Sequence, residues 1–491
     1  MEYLFINNPT EIDWELAKDL NRKDDLCIAE NNLRPQLDLT KIENDSTADA
    51  AHAGLYFYKP DTFKKLSLAA LNWFFLSPPP NTRTNSWMAS LHVLVLKRGV
   101  LKKLNLEVKY NTAHFLAADL AFQVLRSGGL VVHQPDLVQQ MNGLVSGQLQ
   151  VDSTDLRQFV LRFFGKRAAL IAFPFRWFSI LNSKSNRINY QLDIDNHHLL
   201  LKHKNKTITS YAAVIPTINR YAYLKKAIYS LLQNDHPPVE IIVVDQTPER
   251  DRIDGYYDEF KAMPVKVFFI ETAGQSTARN YAVHRVTSEW ILFFDDDSET
   301  WADMVKEHIY LLEHSYADVS TGISLAPWKD KSHIPDFINY YHIASVLDTG
   351  NCMMRKSLVE EVGLFDLAFD KGSGADDNLG KRLFLKGAMI VFNPKAIRTH
   401  HKAPMGGLRT HGAWWKNKGT YFGPFPLPTE SYDFMRFYPP AFYLRLCLYR
   451  LITSYRRSGM AMNIINTILF PVKVLVSYRK AHALLKIGLR N

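Results

Sequence analysis

Three consecutive carboxylates offer the clearest chemistry in this chain of 491 residues. Asp295, Asp296 and Asp297 follow the apolar run at 290–294, which predicts a buried strand with the acids at its end. Adjacent carboxylates repel one another, and a hard divalent cation bound through oxygen is the commonest reason to keep them together. Because alternate residues of a strand point to the same side, we expect Asp295 and Asp297 to share one ion while Asp296 faces elsewhere. For the triplet alone, a solvated acidic turn is the alternative.

A second pair of acids, Asp376 and Asp377, lies in the segment GADDNLGKRL. A positioned carboxylate can take a proton from an attacking hydroxyl group, which contributes typically ~10²–10⁴-fold to a rate. Both aspartates could instead cap the helix that begins near Asn378, and capping is compatible with a catalytic role. The pair is therefore a candidate general base, separate from the acidic triplet.

The elements that must position these acids alternate between strands and helices. The apolar patterns predict strands at 211–215, 240–244, 266–270 and 291–294, and helices at 221–234 and 274–286. This alternation is typical of an α/β fold with a mostly parallel sheet flanked by helices. In such sheets ligands bind beyond the carboxyl ends of the strands, where Thr217, Asp245, Gly274 and Asp295 would lie.

Five motifs in this region carry a family resemblance. VIPTINR, IIVVDQT, AGQSTARN, LFFDDD and GADDNLGKRL occur in order between residues 211 and 401. Their order and spacing resemble family 2 glycosyltransferases, which implies a GT-A (Rossmann-like) fold. The resemblance also implies transfer of a sugar from a nucleotide diphosphate donor, with a UDP-sugar favoured, to an acceptor hydroxyl. It further implies inversion at the anomeric carbon and a divalent cofactor, Mn²⁺ or Mg²⁺.

The same resemblance assigns residues to the donor. The donor-binding set is Pro216, Thr217, Asn219, Arg220, Asp245, Gly274, Arg279, Asp295 and Asp296. Asp245 can accept a hydrogen bond from a base N–H or a ribose hydroxyl. Gly274 lets the backbone approach a ligand closely. Arg279 offers a forked donor to a pyrophosphate, although an ordinary salt bridge is the alternative, and Thr217 could also cap a helix.

The catalytic assignment follows from the family pattern Gly-Glu-Asp-x-Glu-Leu-Gly-x-Arg, and the metal assignment from the acidic triplet and the family's usual histidine. Aligning that pattern puts Asp376 on the general base and keeps Asp377 as its rival, because Ala375 and Asn378 depart from the pattern. The resemblance implies a metal set of Asp295, Asp297 and a histidine after the next strand, which we assign to His400 rather than His401. In the loop that follows, Trp414 and Trp415 are candidate acceptor platforms, and packing against the tail is the alternative.

Two absences favour addition of one sugar at a time. The chain has no QxxRW element, and no uncharged run long enough for a spanning helix stands out. Both argue against a processive polymer synthase. A nucleotidyltransferase and a non-catalytic scaffold that binds sugar nucleotides are the alternative functions.

We expect three domains: an accessory domain at 1–205, a catalytic domain at 206–425 and a basic helical tail at 426–491. The segment at 117–138 parallels that at 376–397, with Ala117 in the place of Asp376. This pairing suggests that the accessory domain is a truncated, inactive GT-A-like α/β module, and chance similarity between two helix–strand units is the alternative.

The tail carries the charge of the chain. From residue 434 to the end there are ten Arg and Lys residues and no Asp or Glu, which equals the net charge of +10. Basic residues alternating with apolar ones suit the surface of an anionic membrane. The alternative is a helical bundle packed on the catalytic domain, and nucleic acid is disfavoured because no known binding motif accompanies the charge.

The remaining features suggest where the protein works. Three isolated cysteines and an N-terminus without a secretory signal predict a cytoplasmic protein, peripheral on the inner face of the cytoplasmic membrane. A lipid-linked saccharide of a surface polysaccharide or glycolipid would suit the tail as acceptor. The sequence leaves a homo-oligomer open.

Overall fold

A computed structural model describes most of the chain as two compact units. It describes every residue except 9, 11, 13–24, 39, 41–47, 60–61, 71, 139–146, 184–206, 405–422, 455–458 and 489–491. The N-terminal unit comprises residues 1–201, 341–345 and 384–389, and the C-terminal unit comprises 202–340, 346–383 and 390–491.

The strands of the chain run as follows. They are β1 (Glu2–Ile6), β2 (Leu26–Glu30), β3 (Ala50–His52), β4 (Val93–Leu96), β5 (Val131–His133), β6 (Ala212–Thr217), β7 (Glu240–Asp245), β8 (Val265–Phe269), β9 (Trp290–Phe294), β10 (Ser298–Thr300), β11 (Val319–Leu325), β12 (His342–Ile343), β13 (Asn351–Arg355) and β14 (Ile390–His400).

The α-helices are α1 (Lys64–Ser67), α2 (Arg98–Leu101), α3 (Phe115–Arg126), α4 (Ser153–Ala172), α5 (Trp177–Leu181), α6 (Tyr221–Leu232), α7 (Gln275–Val283), α8 (Met304–His314), α9 (Lys356–Glu361), α10 (Ala375–Lys386), α11 (Pro428–Phe437), α12 (Tyr443–Ser454), α13 (Met460–Ile468) and α14 (Phe470–Gly488). Short 3₁₀ turns connect several of them.

The C-terminal unit is built on one large sheet, in the order β10-β14-β11-β13-β9-β6-β7-β8. Strands β6, β7, β8 and β9 are parallel. The near-continuous apolar sequences of β6, β7 and β9 are buried, as expected for central parallel strands, whereas β8 is the edge strand and is partly exposed. Strand β13 runs antiparallel to β9 and β11, and β14 runs parallel to β11. The α/β expectation with a mostly parallel sheet is therefore confirmed, and β10 and β13 are the antiparallel additions.

This topology brings the ends of several strands to one edge of the sheet. Because β14 has the same direction as β9, both strands end at the edge where β6 and β7 end. The short strand β10 folds back beside the end of β14 and pairs Ser298 with His400. The residues after β9 and the last residue of β14 are thus neighbours, although about a hundred residues separate them in the chain.

The last helices belong to the C-terminal unit. Helix α11 packs against α14, where Ser431 and Ser477 share a buried hydrogen bond of 2.7 Å between their hydroxyl oxygens. Tyr432 and Ala481 join Phe369 in a buried apolar cluster. In the described parts of the chain, none of the helices combines the length and the apolar character that a segment spanning a bilayer needs.

The N-terminal unit repeats part of this topology. Its sheet has the order β1-β2-β4-β3-β5. Strands β1 and β2 are parallel, β2 and β4 antiparallel, β4 and β3 antiparallel, and β3 and β5 parallel. The series β6-β9-β13-β11-β14 has the same order of relative directions. Within the described residues, this sheet has no counterpart of β7 and β8.

Candidate active site

The acidic triplet lies at the carboxyl end of β9, beside His400 at the end of β14. One ligand atom from each of Asp295, Asp297 and His400 lies within 4.8 Å of the others. His400 Nε2 lies 3.3 Å from Asp297 Oδ1. Two carboxylates and an imidazole form a donor set that suits Mn²⁺ or a similar divalent ion, so these residues fit the expected metal.

Asp297 and Asp295 are stabilised as anions by different partners. Burial would raise the pKa of Asp297, but His400, Arg220 and the Ala403 amide hold it well below the usual range. Burial likewise opposes ionisation of Asp295, and its pKa is lowered by Arg398 at 2.8 Å and Arg279 at 3.1 Å. Asp295 thus has two guanidinium partners, whereas Asp297 has one, Arg220, together with His400 and the Ala403 amide.

Asp296 points to β6 and away from this cluster. It accepts hydrogen bonds of 2.8 Å from the Thr217 hydroxyl and from Arg220 Nη1. Burial raises the pKa of Asp296 to about 6, with Arg220 and Thr217 opposing the shift and the Asp297 charge adding to it. Arg220 also lies 3.4 Å from Asp297, so one cation ties the last two acids of the triplet to β6.

The two histidines at the end of β14, His400 and His401, have different partners. The side chain of His401 contacts Glu299, and its backbone N–H donates to the Asp297 carbonyl at 2.9 Å. Only the His400 ring contacts the Asp297 carboxylate, among the histidines that the structure describes. The geometry therefore favours His400 as the metal ligand.

Asp376 and Asp377, at the start of α10, have separate surroundings. The Thr349 hydroxyl donates to Asp376, and Arg279 Nη1 lies 3.8 Å from the same carboxylate oxygen. Desolvation raises the pKa of Asp376 to about 6 against the opposing effects of Arg279 and Thr349. Asp377 instead accepts a hydrogen bond of 2.6 Å from Lys381, which is also bonded to the buried Asp433.

Arg279 connects the acidic triplet to the candidate base. Its guanidinium group is buried and donates to Asp295 and to the Thr349 carbonyl, both at 3.1 Å. The same guanidinium faces Asp376. In this structure Arg279 therefore forms the kind of salt bridge that the sequence left as the alternative to pyrophosphate binding. It brings Asp295 and Asp376 next to the same cation.

The residues assigned to the donor lie around the ends of β6 and β7. Asp245 is fully buried and accepts hydrogen bonds from the Tyr221 and Tyr257 hydroxyls, at 3.0 and 2.8 Å, and from the Thr247 amide at 2.8 Å. A ligand would have to use its remaining lone pair or displace a tyrosine. Asn219, with φ 55°, donates its backbone N–H to the Thr247 hydroxyl.

Gly274 permits a close approach, but its neighbour here is a carboxylate of the protein. A Cβ at Gly274 would lie 2.3 Å from the carboxyl carbon of Asp370. Asp370 also accepts a hydrogen bond of 2.9 Å from the Thr277 amide in the first turn of α7. Pro216 lies next to Thr217 within β6. Trp414 and Trp415 lie outside the described residues.

The structure adds residues that the motifs did not reveal. Buried Arg398 donates to Asp295 and Ser298, each at 2.8 Å, and to both oxygens of Asp348. Alternation along β14 puts Arg398 on the same side as His400, so strand periodicity carried a signal for it. Thr349 had no comparable signal, because its role depends on the loop between β12 and β13 reaching Asp376.

Comparisons with known proteins find similarity to glycosyltransferases. The family model "Glycosyl transferase family 2" matches residues 212–363. TuaG of Bacillus subtilis (strain 168), named for teichuronic acid biosynthesis, is 28% identical over 138 residues, which cover 26% of this chain and 54% of that protein. The poly(ribitol-phosphate) β-N-acetylglucosaminyltransferase TarS of Staphylococcus aureus (strain Mu50) is 25% identical over 113 residues, covering 22% of this chain and 20% of TarS.

Solved structures of glycosyltransferases also match. The crystal structure of S. aureus TarS 1–349 with UDP-GlcNAc has a TM-score of 0.38 and 17% identity, covering 57% of this chain and 82% of that one. The mannosyltransferase PcManGT of Pyrobaculum calidifontis with GDP-Man and Mn²⁺ has a TM-score of 0.36 and 13% identity, covering 59% and 89%. The chain thus spans about half of TuaG and a fifth of full-length TarS. It therefore contains a domain, at residues 212–363, that matches the family 2 glycosyltransferase model, and this domain forms part of the large sheet of the C-terminal unit.

Proposed function

We propose that this protein is an inverting, metal-dependent glycosyltransferase that moves one sugar at a time from a UDP-sugar to an acceptor hydroxyl. The observation that carries the proposal is the convergence of two groups on Arg279: the acidic cluster of Asp295, Asp297 and His400, and the separate carboxylate of Asp376. A site of this kind can hold a nucleotide diphosphate on one side and remove a proton on the other.

In the proposed reaction, Asp376 accepts the proton of the acceptor hydroxyl as its oxygen bonds to the anomeric carbon. The bond from that carbon to the diphosphate breaks, and the nucleoside diphosphate leaves with the electron pair. Thr349 orients the carboxylate of Asp376, and a pKa of about 6 leaves it ionised at neutral pH and basic enough to take a proton.

Asp297 and His400 are the proposed principal ligands of a Mn²⁺ or Mg²⁺ ion, with Asp295 beside them. When bound, the ion offsets the charge that builds on the leaving diphosphate, a Lewis-acid effect worth several kcal/mol. Arg220, in contact with Asp296 and Asp297, is a fixed cation at the same end of the sheet. Asp245 and Thr217 lie where the nucleoside would bind.

The proposed acceptor is a saccharide, free or lipid-linked, of a surface polysaccharide or glycolipid. The names of TuaG and TarS, which refer to teichuronic acid and poly(ribitol-phosphate), support this class of acceptor. The absence of a QxxRW motif from the sequence supports single addition.

We also propose that the tail rests on an anionic membrane surface, so that the enzyme is peripheral on the cytoplasmic face. Met460, Ile464 and Ile468 in α13 recur every four residues and are 81, 54 and 71% exposed. Val472 and Leu475 continue the exposed apolar residues in α14. Arg479, Lys480 and Lys486 are exposed on α14, so apolar and basic groups are presented together.

Incubation of the protein with labelled sugar nucleotides and Mn²⁺ tests the proposed reaction. Release of the nucleoside diphosphate with transfer of the label to a saccharide or to water supports it. Pyrophosphate formed from a nucleoside triphosphate would indicate a nucleotidyltransferase instead. Tight binding without turnover of any sugar nucleotide would indicate a non-catalytic scaffold.

A further inference from the structure

A second cluster of potential metal ligands lies in the N-terminal unit. Glu30 is the last residue of β2, His92 precedes β4, and His114 precedes α3. His114 Nε2 lies 3.3 Å from one Glu30 carboxylate oxygen, and His92 Nε2 lies 3.9 Å from the other. The three side chains are only 16 to 17% exposed, and one ligand atom from each lies within 4.8 Å of the others.

Neighbouring groups hold these side chains in place. The His92 ring stacks between Phe57 and His114, with ring centroids 4.0 Å apart in each pair, so one imidazole would have to turn out of the stack for both Nε2 atoms to bind the same ion. The Ser90 hydroxyl lies 2.9 Å from His92 Nδ1, and this contact leaves Nε2 directed at Glu30. A hydrogen bond to the distal ring nitrogen is the usual way in which proteins orient a histidine ligand.

The cluster occupies the place in its sheet that the acidic triplet occupies in the larger sheet. Ala29 pairs with Val93 across β2 and β4, as Phe294 pairs with Asn351 across β9 and β13. Because the two sheets share strand order and directions, Glu30 is the topological counterpart of Asp295, the first acid after β9. The cluster therefore lies at the edge of the sheet where the larger unit gathers its candidate ligands.

We propose that Glu30, His92 and His114 bind a divalent transition metal ion, with Zn²⁺ the best match. Two imidazoles and one carboxylate form a three-ligand set used for zinc, with water or another ligand in the fourth position. This donor set is softer than that of Asp295, Asp297 and His400, which has two carboxylates and one imidazole, so the two clusters should prefer different ions.

The test uses the full-length chain with the larger unit's cluster disabled by Asp297→Asn and His400→Gln. After chelator treatment, this background variant is titrated with Zn²⁺ by calorimetry, and bound zinc is counted by elemental analysis. We expect one ion per chain. Adding Glu30→Gln or His92→Gln should weaken zinc binding by at least ~100-fold, because one of three ligands is lost. Adding Glu107→Gln and His284→Gln, an exposed pair elsewhere, is the matched control and should change nothing.

X-ray absorption on the zinc-loaded background variant gives a reading that does not depend on the added substitutions folding. Two imidazole nitrogens and carboxylate or water oxygen around zinc support the proposal. It is overturned if the folded background variant binds no zinc, if Glu30→Gln and His92→Gln bind as tightly as the control, or if the absorption spectrum lacks two imidazole ligands.

Discussion

Asp376 and Asp377 are adjacent in the chain and equally solvent-accessible, with side chains 46 and 50% exposed. Their partners differ: Asp376 faces Thr349 and Arg279, whereas Asp377 faces Lys381 and, through it, Asp433. Exposure therefore does not separate the two candidates for the base, and the neighbouring groups do. Asp376 and the acidic triplet both contact the guanidinium group of Arg279. Asp377 is paired with Lys381 instead.

The first prediction compares these two residues. Asp376→Asn should lower kcat by ~10²–10⁴-fold, because an amide cannot accept the proton. Asp377→Asn removes one partly exposed ion pair and should leave kcat within about fivefold of the wild type. Steady-state transfer assays at saturating donor measure both, and comparable losses in the two variants would contradict the assignment.

The second prediction concerns pH. At saturating donor, kcat should fall as the pH drops below about 6, because Asp376 becomes protonated. The free energy of unfolding should change in the opposite direction. Between the usual pKa of 3.8 and about 6, the folded state keeps a proton on Asp376 that the unfolded state releases. The stabilisation from this bound proton is therefore lost as the pH rises through this window. Above pH 6, Asp376→Asn should therefore have a higher free energy of unfolding than the wild type, by about 1 kcal/mol after allowance for the half-exposed side chain, and urea unfolding measures this difference.

Asp296 also has a pKa of about 6, but it lies on the donor side of the site. Protonation of Asp296 should change the affinity for the donor, and this pH dependence of donor affinity should remain in Asp376→Asn. Calorimetric donor titrations of this variant from pH 5 to 8 separate the two groups. If the acid limb of kcat survives in the residual activity of Asp376→Asn, Asp376 is not its origin.

The sequence nominated candidate residues where a local motif carries them, and it did not nominate residues whose contacts depend on tertiary pairing. The triplet after β9 and the carboxylates of GADDNLGKRL follow from short patterns. Arg398 neutralises Asp295 from a strand about a hundred residues away, and Thr349 reaches Asp376 from a loop. Alternation along β14 puts Arg398 on the side of His400, but neither contact with an acidic partner can be read from one segment alone.

At the scale of elements, the apolar runs predicted the positions of β6, β7, β8 and β9 to within about two residues. The order of strands was less accessible, because the antiparallel insertion of β13 between β9 and β11 depends on long-range pairing. That insertion matters, since it gives β14 the direction of β9 and brings His400 beside Asp297.

The third prediction concerns a buried carboxylate that joins three elements. Glu240, at the start of β7, accepts hydrogen bonds of 2.7 Å from Lys266 in β8 and from the Thr287 amide before β9. Burial opposes its ionisation, but these donors lower its pKa to about 2. Glu240→Gln should lower the free energy of unfolding by about 2 kcal/mol at pH 7.

The difference in free energy of unfolding between the wild type and Glu240→Gln should become smaller as the pH falls. The stabilisation by Glu240 is present above its usual pKa of 4.5 and is lost as the pH falls towards about 2. Urea unfolding of the wild type and Glu240→Gln at pH 7 and pH 3 should show a smaller gap at pH 3. Glu289→Gln, at a side chain 66% exposed, is the control. A gap that stays constant or widens at low pH would contradict the role of the ionised carboxylate.

At the scale of the whole molecule, the tail both packs and presents a surface. Helix α14 buries Val474, Ser477 and Ala481 within its unit, while α13 and α14 leave apolar and basic residues exposed. The packed bundle that the sequence left as an alternative is thus compatible with membrane contact. In the N-terminal unit, Phe175, Trp177 and Phe178 are 89, 58 and 68% exposed, so large apolar side chains are accessible there as well.

The fourth prediction tests the tail without truncating it. Ile464→Glu with Ile468→Glu should reduce flotation with anionic liposomes, because two exposed apolar contacts become repulsive charges. Trp328→Glu with Val239→Glu adds the same charge at exposed apolar positions outside the tail and serves as the control. Thermal unfolding should be similar in both variants. Unchanged flotation of the α13 variant would remove the tail as the anchor.

The most direct test of the proposed chemistry is the transfer rate of Asp376→Asn at saturating UDP-sugar and Mn²⁺, on protein whose donor binding has been measured by calorimetry. We expect donor affinity like that of the wild type and a rate lowered ~10²–10⁴-fold. We expect Asp297→Asn, measured in parallel, to lose the Mn²⁺-dependent part of donor binding. A near wild-type transfer rate in fully donor-bound Asp376→Asn would contradict the proposal that the acidic cluster binds metal and donor while Asp376 accepts the proton.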